Sequence, residues 1–445
     1  MSYSTLSLPL ISRRHGSRGN APAAFRRVPR RVLVRSQGRT RACTGALPRW
    51  LAGASALLAA CGVSAANWEV EPRAELGYRY DDNYRLDLPG EEVDVSGAEA
   101  NVLAQFRTID PRTNFQITPQ IRSTYFPDER QEDSTDYFLS ALLSDETPRR
   151  RMGIGADFSR QDVVRTETPG IDLGGPAGAP ADGLGGELGN PTTVDGGRTF
   201  QRNRRDLIRI APYWSHDLSQ RHRLELDAYY LQADFDDQFA GAQQDFKDFG
   251  AAAGLGFLLS ERTSLTVRAR ASQYQTSFDT DAYGGEIEWG RAVSENSRMY
   301  VRVGAQQTKP ERGESDTNVV AGLGGRWVGQ RNTMFLDLTR TVGPISAGTI
   351  VERYQLRLRI DHDISQRVSL LLGARVSRDE GIEGVASYPR REYATADLGL
   401  QWRVLRSVAL TARYNYRWQE YADEPSDASA NGFLIGVIYE PKRRD

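Results

Sequence analysis

The stretch Trp68-Glu-Val-Glu-Pro-Arg-Ala-Glu-Leu-Gly-Tyr-Arg-Tyr80 alternates between apolar and charged side chains. Every even position holds an apolar or aromatic residue, and every odd position except Gly77 holds a charged one. Alternation at period 2 is typical of a β-strand with one apolar and one wet face. The stretch therefore predicts a half-exposed strand, and the same pattern recurs to the end of the chain.

The recurrence predicts 18 such strands, joined by eight short turns and nine longer connections. Every connection after an odd strand is predicted to be long, and every connection after an even strand short. Outer-membrane barrels show this asymmetry, together with an even number of strands. The predicted fold class is all-β, a transmembrane antiparallel up-and-down β-barrel of about 18 strands. A count of 16 stays open, because strand boundaries inferred from sequence shift by a few residues.

The composition is compatible with this fold. Mean hydropathy is −0.54, and past the N-terminal leader no apolar run approaches the roughly 18 residues of a membrane helix. Barrel strands contain no such apolar run, because each apolar residue in them alternates with a polar one. The 19 tyrosines and 7 tryptophans tend to fall at strand ends, which suits interfacial girdles. Tyrosines that fill the core of a soluble sandwich are the alternative. The net charge of −1 favours no nucleic-acid partner.

Residues 1–65 are predicted to be an N-terminal extension followed by a secretory signal peptide, and residues 66–445 the barrel. No acidic residue precedes Glu69, and the apolar run 51–60 leads to a small-residue cleavage site near Ala65. The basic segment 1–43 could also be translated sequence upstream of the true start, or an organellar transit peptide. The pair Arg13-Arg14 gives only a weak twin-arginine signal.

Both cysteines lie in this leader. Cys61 ends the stretch Leu58-Ala-Ala-Cys61, which is similar to a lipobox, so lipidation there is one alternative to ordinary cleavage near Ala65. Ordinary cleavage is the prediction, because a body held in the bilayer gains little from a lipid tether. The mature chain would then lack Cys43 and Cys61, and with them any disulfide or thiol nucleophile.

The sequence predicts no enzyme, cofactor or metal. Beyond the leader only His216, His222 and His362 occur, at or beside predicted short turns, far from the outer rim where a barrel hydrolase would need a base. No His/Asp/Glu spacing suits zinc. The Asp-Asp-Asn stretch 81–83 could hold calcium, although a solvated loop start is the favoured interpretation.

The predicted inward face carries a series of arginines, and the Gly- and Pro-rich loop 161–203 carries acidic residues. A third loop that folds inward against a basic wall would form a constriction with a transverse field, favouring anionic or hydroxyl-rich solutes. The alternative is a wall neutralised by carboxylates such as Glu69, Glu71, Glu225, Asp227, Glu286 and Glu288. The candidate pore-lining residues are Arg268, Arg270, Arg302, Arg326, Arg353, Arg357, Arg359, Arg375, Arg403, Arg413 and Arg417. The constriction-loop candidates are Asp162, Glu167, Asp172, Asp182, Glu187 and Asp195.

Two segments resemble a known family. The opening Tyr78-Arg-Tyr-Asp-Asp-Asn83 and the strand Phe115-Gln-Ile-Thr-Pro-Gln-Ile121 resemble the β-barrel porin family often encoded beside exopolysaccharide or capsule export genes. The resemblance covers residue 67 to the end. It implies an outer-membrane location and passage of polysaccharide, and it supplies no catalytic residues.

The sequence thus predicts an outer-membrane channel that passes solutes passively, with a link to exopolysaccharide export. The expected partners are outer-membrane lipid and lipopolysaccharide, the barrel insertion machinery, and polysaccharide export components. Two other functions stay open: a plugged structural or adhesive barrel, and a barrel enzyme, which the histidine placement disfavours.

Overall fold

A computed structural model describes residues 68–108, 110, 112–165, 203–237, 243–276, 279–311, 313–345, 347–382 and 388–441. The predicted leader, with both cysteines, lies outside these residues. Within them, 18 antiparallel strands form a single sheet. They are β1 Trp68–Asp81, β2 Val95–Thr108, β3 Thr113–Tyr125, β4 Ser134–Thr147, β5 Arg150–Asp162, β6 Arg204–Asp217, β7 His222–Phe235, β8 Phe246–Ser260, β9 Thr263–Gln275, β10 Asp279–Ser294, β11 Ser297–Pro310, β12 Asp316–Val328, β13 Asn332–Ile345, β14 Thr349–Asp363, β15 Val368–Gly381, β16 Arg391–Arg403, β17 Val408–Tyr421 and β18 Ala428–Tyr439. Two 3₁₀ turns span Arg130–Glu132 and Val163–Arg165.

Each strand pairs with its neighbours in the chain, and the last strand pairs with the first. The β1–β18 register runs from Ala74 opposite Tyr439 to Asp81 opposite Gly432. The sheet is therefore a closed up-and-down barrel, and the prediction of an 18-stranded all-β barrel is confirmed. In the described part of the chain, no helix has both the length and the apolar character needed to cross a bilayer.

The alternation of side chains sorts the wall into two faces. The apolar residues of β1 are exposed on the outer face, as at Leu76 with 63% of its surface exposed, whereas Glu75 and Asp81 on the inner face are buried. At the opposite side of the seam, Ile435 of β18 is 70% exposed. An exposed apolar outside and a buried polar inside reverse the arrangement of a soluble protein.

On β6, β8, β14 and β16 the outward-facing apolar residues form series of the same length. Each series begins near the long-connection end and ends at the short turn, ten residues later. Strands tilted by about 40° cover a height of about 25 Å in ten residues, which matches the apolar band of membrane barrels. These four series span residues 208–218, 249–259, 354–364 and 394–404. Near the short-turn end lie Trp68, Trp214, Trp289, Trp327 and Trp402.

The predicted asymmetry of the connections holds, except after two odd strands. The connections 276–278 after β9 and 346–348 after β13 contain only three residues each, so the prediction that every odd connection is long is wrong there. Both hairpins continue well beyond the predicted apolar segments, because ladder hydrogen bonds need no apolar face once a strand leaves the band. For the same reason β5 extends to Asp162, which shortens the predicted loop 161–203 at its start, whereas β6 begins at Arg204, directly after the predicted end of the loop.

Two arginine–carboxylate pairs reach across β18 to connect β17 with β1. The guanidinium of Arg417 donates to both carboxylate oxygens of Asp81, at 2.8 and 3.0 Å, and also to the carbonyls of Asn83 and Tyr84. Arg413 lies 2.8 Å from Glu75. Gly432 lies beneath the first pair, and a Cβ there would be 3.1 Å from Asp81. Buried ion pairs therefore connect β17 with β1 at the seam where the barrel closes.

Replacing Arg417 with methionine should destabilise the barrel strongly, because it leaves buried Asp81 with only the longer contact to Arg79, at 3.3 Å. Removing one partner of a buried pair costs about 3–5 kcal/mol. The matched change Arg359→Met breaks an exposed pair with Asp361, in which both side chains are 41% exposed, and should cost about 1 kcal/mol or less. Urea unfolding in detergent micelles, followed by tryptophan fluorescence, measures both losses. Equal losses would show that the seam pair has no special role.

Candidate functional site: the barrel lumen

All eleven candidate arginines occupy inward positions of their strands. Contacts that skip a strand identify this face as the concave one, because only there do side chains of non-adjacent strands converge. Arg268 of β9 reaches Glu225 of β7 at 3.2 Å, and Tyr300 of β11 donates to Asp337 of β13. The arginines lie on β9 (Arg268, Arg270), β11 (Arg302), β12 (Arg326), β14 (Arg353, Arg357, Arg359), β15 (Arg375), β16 (Arg403) and β17 (Arg413, Arg417).

One cluster of charges centres on Glu286 of β10, which is buried. Arg268 lies 3.2 Å from its carboxylate, Arg302 3.7 Å and Arg270 3.8 Å. Glu225 contacts the far side of Arg268, and Asp227 and Glu288 also interact electrostatically with this arginine. Four carboxylates thus face the three guanidinium groups, and the cluster carries no excess of positive charge.

A second group of pairs lies on β13 to β15. Asp337 is fully buried and accepts from Arg357 at 2.6 Å as well as from the Tyr300 hydroxyl. Arg353 donates through two nitrogens to the two oxygens of Asp379, at 2.6 and 2.8 Å. This bidentate geometry fixes both the charge and the orientation of the guanidinium.

The remaining arginines are more open. Arg359 pairs with exposed Asp361. The guanidinium of Arg375 faces the side-chain amide of Gln355. When the amide oxygen of Gln355 points toward β15, it accepts a hydrogen bond from Arg375 Nε at 2.9 Å. Arg326 and Arg403 are exposed near the short-turn ends of β12 and β16.

At least eight of the eleven arginines thus have a carboxylate within ion-pair distance, which favours a largely neutralised wall over a continuous positive ladder. Of the six carboxylates named from the sequence, Glu225 and Glu286 form such pairs, and Asp227 and Glu288 interact electrostatically with Arg268. Glu69 and Glu71 instead pair with Arg107. Asp337, Asp379 and the seam carboxylates were missed. They occupy polar positions of the same alternation, but their partners depend on the register between strands, which the alternation does not specify.

The tip of the β13–β14 hairpin is buried on both faces. Val342 and Ile350 on one face and Ile345 and Val351 on the other are almost fully buried. The hydroxyl of Tyr274 donates to the Ile345 carbonyl at 3.2 Å, although three strands separate β9 from β13 in the wall. A strand of the wall cannot bury both faces in this way, so the hairpin tip leaves the wall and leans over the lumen.

Two apolar clusters hold this tip in place. One joins it to the ends of β7, β8 and β9, and the other to residues of β17 and the β15–β16 connection. At Gly348, with φ of +79°, a Cβ would lie 2.6 Å from Gln244 Oε1, so the turn packs too closely for a larger residue. The first cluster contains Val163, Leu231, Ala233, Phe235, Phe246, Tyr274, Val342, Ile350 and Ile382. The second contains Ile345, Ala347, Val351, Tyr388 and Tyr421.

The β1–β2 connection also turns inward. Tyr84 is buried and its carbonyl accepts from Arg417. Leu86 adopts a left-handed conformation with φ of 63°, which costs about 1–3 kcal/mol for a non-glycine residue. Its carbonyl accepts from Gln419 at 2.9 Å, and its side chain packs in an apolar cluster at the ends of β16 and β18. The long-connection mouth is therefore narrowed by two inward-turned segments.

The sequence analysis assigned a constriction to loop 161–203 instead. Asp162 belongs to β5 and is buried; its carboxylate accepts from the Val164 amide at 3.1 Å, and its own amide donates to Asp136 at 3.0 Å. It therefore anchors the start of the loop, and the expectation that it lies within the loop is wrong. The other candidates, Glu167, Asp172, Asp182, Glu187 and Asp195, lie outside the described residues.

The three histidines lie near the short-turn ends. His216 and His362 are in the last residues of β6 and β14, and His222 begins β7, with its ring 2.9 Å from the Ser219 hydroxyl. No group of three or more potential metal ligands occurs in the described ranges.

A comparison with models of protein families finds no match for this chain, and neither does a comparison with curated proteins. Similar solved structures include the outer membrane protein opdK from Pseudomonas aeruginosa, at 10% identity and a TM-score of 0.42, covering 84% of this chain and 99% of that one. OccAB3 from Acinetobacter baumannii gives 11% identity and a TM-score of 0.39, with 84% and 99% covered. The FrpB iron transporter from Neisseria meningitidis gives 8% identity and a TM-score of 0.41, covering 85% of this chain and 82% of that one. At these values the likenesses carry no argument, and the barrel fold rests on the strand pairing of this chain.

The inward β1–β2 connection should respond to pH through Asp87. Burial raises the pKa of this carboxyl to about 6, and nearby Arg85 offsets only part of the effect. Because the raised pKa means that the packed loop binds the proton more tightly than the open loop, loop stability should rise as pH falls through about 6. Hydrogen exchange of amides 82–94, corrected for intrinsic rates, should show stronger protection at pH 5 than at pH 7.5. Asp87→Asn should remove that difference, and a difference that persists in the variant would exclude Asp87 as its source.

Proposed function

We propose that the protein is a passive channel of the bacterial outer membrane whose external mouth is narrowed by the β1–β2 connection and the β13–β14 hairpin. The observation that carries the proposal is a closed wall of 18 strands with an apolar outer face and a charged inner face. In hydrocarbon only such a closed sheet pairs all its backbone groups. Barrels of 16 to 18 strands are wide enough to hold an aqueous channel.

The connections give the orientation. Short turns face the periplasm in outer-membrane barrels and longer loops face outside, so the narrowed mouth is external in this proposal. Secretion by the predicted signal peptide and delivery to the barrel insertion machinery fit this placement. Outer-membrane lipid and lipopolysaccharide would then contact the apolar band.

The inner wall suits anionic or hydroxyl-rich solutes. Paired guanidinium and carboxylate groups offer many hydrogen-bond donors and acceptors along the path. The exposed guanidinium groups of Arg326 and Arg403 lie near its short-turn end. The resemblance of the Tyr78-Arg-Tyr-Asp-Asp-Asn83 opening to porins encoded beside polysaccharide export genes favours a polysaccharide segment as cargo. Partners of an export assembly are part of the same proposal.

The alternative function is a plugged structural or adhesive barrel. It is favoured by the two apolar clusters at the mouth, since a hairpin packed on both faces resists displacement. We propose no enzymatic activity, because the histidines lie at the short-turn ends.

Loosening the β13–β14 hairpin should widen the channel. The double variant Ile345→Asn with Ile350→Asn places unsatisfied polar groups in both clusters and should favour an outward hairpin. Single-channel recording in planar bilayers should show higher conductance or fewer closures than in the unaltered protein. Leu405→Asn, at an exposed leucine in the β16–β17 turn, is the control. If the unaltered barrel and the double variant are both silent while folded, the barrel is plugged.

A charge reversal at Arg375 should shift selectivity from anions toward cations. Arg375 lies beside the amide of Gln355 and the ring of Tyr393, so Arg375→Glu reverses the wall charge next to these two neutral groups. Arg357→Glu would instead place a second carboxylate beside Asp337 and should destabilise the protein. Reversal potentials in a salt gradient measure selectivity. An unchanged reversal potential for a folded Arg375→Glu variant would remove this arginine from the solute path.

A further inference from the structure

A short motif recurs in five successive short turns. Each turn has an aliphatic residue, then Ser or Gly, then Gln or Glu, then a terminal residue that is arginine in four of the five. The segments are Leu218-Ser-Gln-Arg221, Leu259-Ser-Glu-Arg262, Val293-Ser-Glu-Asn296, Val328-Gly-Gln-Arg331 and Ile364-Ser-Gln-Arg367. The other short turns also carry an exposed arginine each, Arg112, Arg149 and Arg406.

The turn conformation does not require arginine. In the β6–β7 turn the Ser219 hydroxyl accepts from the amides of Arg221 and His222, both at 3.1 Å. The Ser365 hydroxyl does the same for Arg367 and Val368. Among the described residues Leu86 is the only non-glycine with a positive φ, so the arginine positions accept any ordinary residue. The serine hydroxyl therefore stabilises the turn conformation, and that conformation does not depend on the guanidinium group.

The backbone hydrogen bonds at these positions also do not depend on the identity of the side chain. The carbonyls of Arg221 and Arg367 accept from Leu258 and Arg403 of the neighbouring hairpins, at 2.8 and 2.7 Å. Any residue supplies that carbonyl. Among the described residues, no carboxylate lies within ion-pair distance of the side chains of the four repeat arginines, which are exposed.

The aliphatic residues of the motif are exposed as well. Leu218, Leu259 and Ile364 are 57%, 60% and 48% exposed. Leu218 and Ile364 end the outward apolar series of β6 and β14, below Trp214 and Ile360. If the apolar band lies in hydrocarbon, these side chains mark its edge, and each arginine three residues later reaches the plane of the lipid phosphates.

The opposite rim is built differently. Three of its outward arginines have a glutamate nearby: Arg340 pairs with Glu352, Arg378 with Glu380, and Arg390 with Glu392 at 3.6 Å. Positive charge is thus compensated within the protein at these three positions, whereas the repeat arginines at the short-turn rim are not compensated in this way.

We propose that the short-turn arginines, chiefly Arg221, Arg262, Arg331 and Arg367, bind the phosphate groups of anionic phospholipids in the leaflet that they face. A guanidinium group matches two phosphate oxygens in geometry and charge. The aliphatic residue of each turn contacts the acyl-chain edge of the same lipid. The inference rests on the bilayer placement proposed above and adds a preference for anionic lipid at one rim.

Tryptophan quenching by brominated lipid tests the inference, because Trp214, Trp289, Trp327 and Trp402 lie at this rim. The protein is refolded in phosphatidylcholine vesicles that contain either dibrominated phosphatidylcholine or dibrominated phosphatidylglycerol at equal mole fractions. We expect several-fold stronger quenching by the brominated phosphatidylglycerol at low mole fraction. Changing the four repeat arginines to glutamine should reduce the ratio toward one, and Arg340→Gln with Arg378→Gln and Arg390→Gln should leave it unchanged.

Each other outcome has a separate meaning. Absence of quenching by either lipid would overturn the bilayer placement itself. Equal quenching of the unaltered protein by both lipids would overturn only the lipid preference, and a preference that survives in the fourfold variant would overturn its assignment to these arginines. Retarded migration in SDS without heating verifies that each variant is folded. If the fourfold variant does not fold, the pair Arg221→Gln and Arg367→Gln replaces it, with the ratio expected to fall part of the way.

Discussion

The structure depends on the closure of one sheet upon itself. An apolar outer face can lie in hydrocarbon only if every backbone amide and carbonyl behind it has a partner, and an open edge strand would leave a row of them unpaired. The pairing of β1 with β18 removes that edge. This pairing joins the two ends of the described chain, so it forms only when all the intervening hairpins are in register. Buried ion pairs reinforce it, and the small side chains of β18 leave them room.

Closure also requires the charged side chains of the inner wall to be paired. Inward side chains of neighbouring strands converge, and many lose contact with water, so an unpaired charge would be costly. The wall meets this constraint with cross-strand pairs such as Arg353 with Asp379 and Arg357 with Asp337. Paired charges keep the wall polar and rigid while reducing its net field. Selectivity then depends on how these charges are distributed along the path, including Arg375 beside the neutral amide of Gln355.

The two rims of the barrel differ in where their apolar side chains point and in how their arginines are paired. At the long-connection rim, apolar side chains gather inside the mouth and hold the β13–β14 hairpin away from the wall. At the short-turn rim, apolar side chains point outward and are followed by arginines that the protein does not neutralise. An asymmetric membrane, with lipopolysaccharide on one side and phospholipid on the other, would give each rim a different environment.

The sequence by itself determined the number of strands, the face on which each side chain lies and the end at which the short turns gather. These properties follow from a period of two residues and from local turn chemistry, both of which are readable within a few residues. Even the inward positions of all eleven arginines followed from that period. Only the tertiary structure decided which carboxylate each arginine meets, as with Arg417 and Asp81, which are 336 residues apart. It also decided that a short hairpin closes over the mouth, because its burial depends on residues from β7, β9 and β17. Alternation specifies the face of a residue, but the register and bending of distant strands select its neighbours.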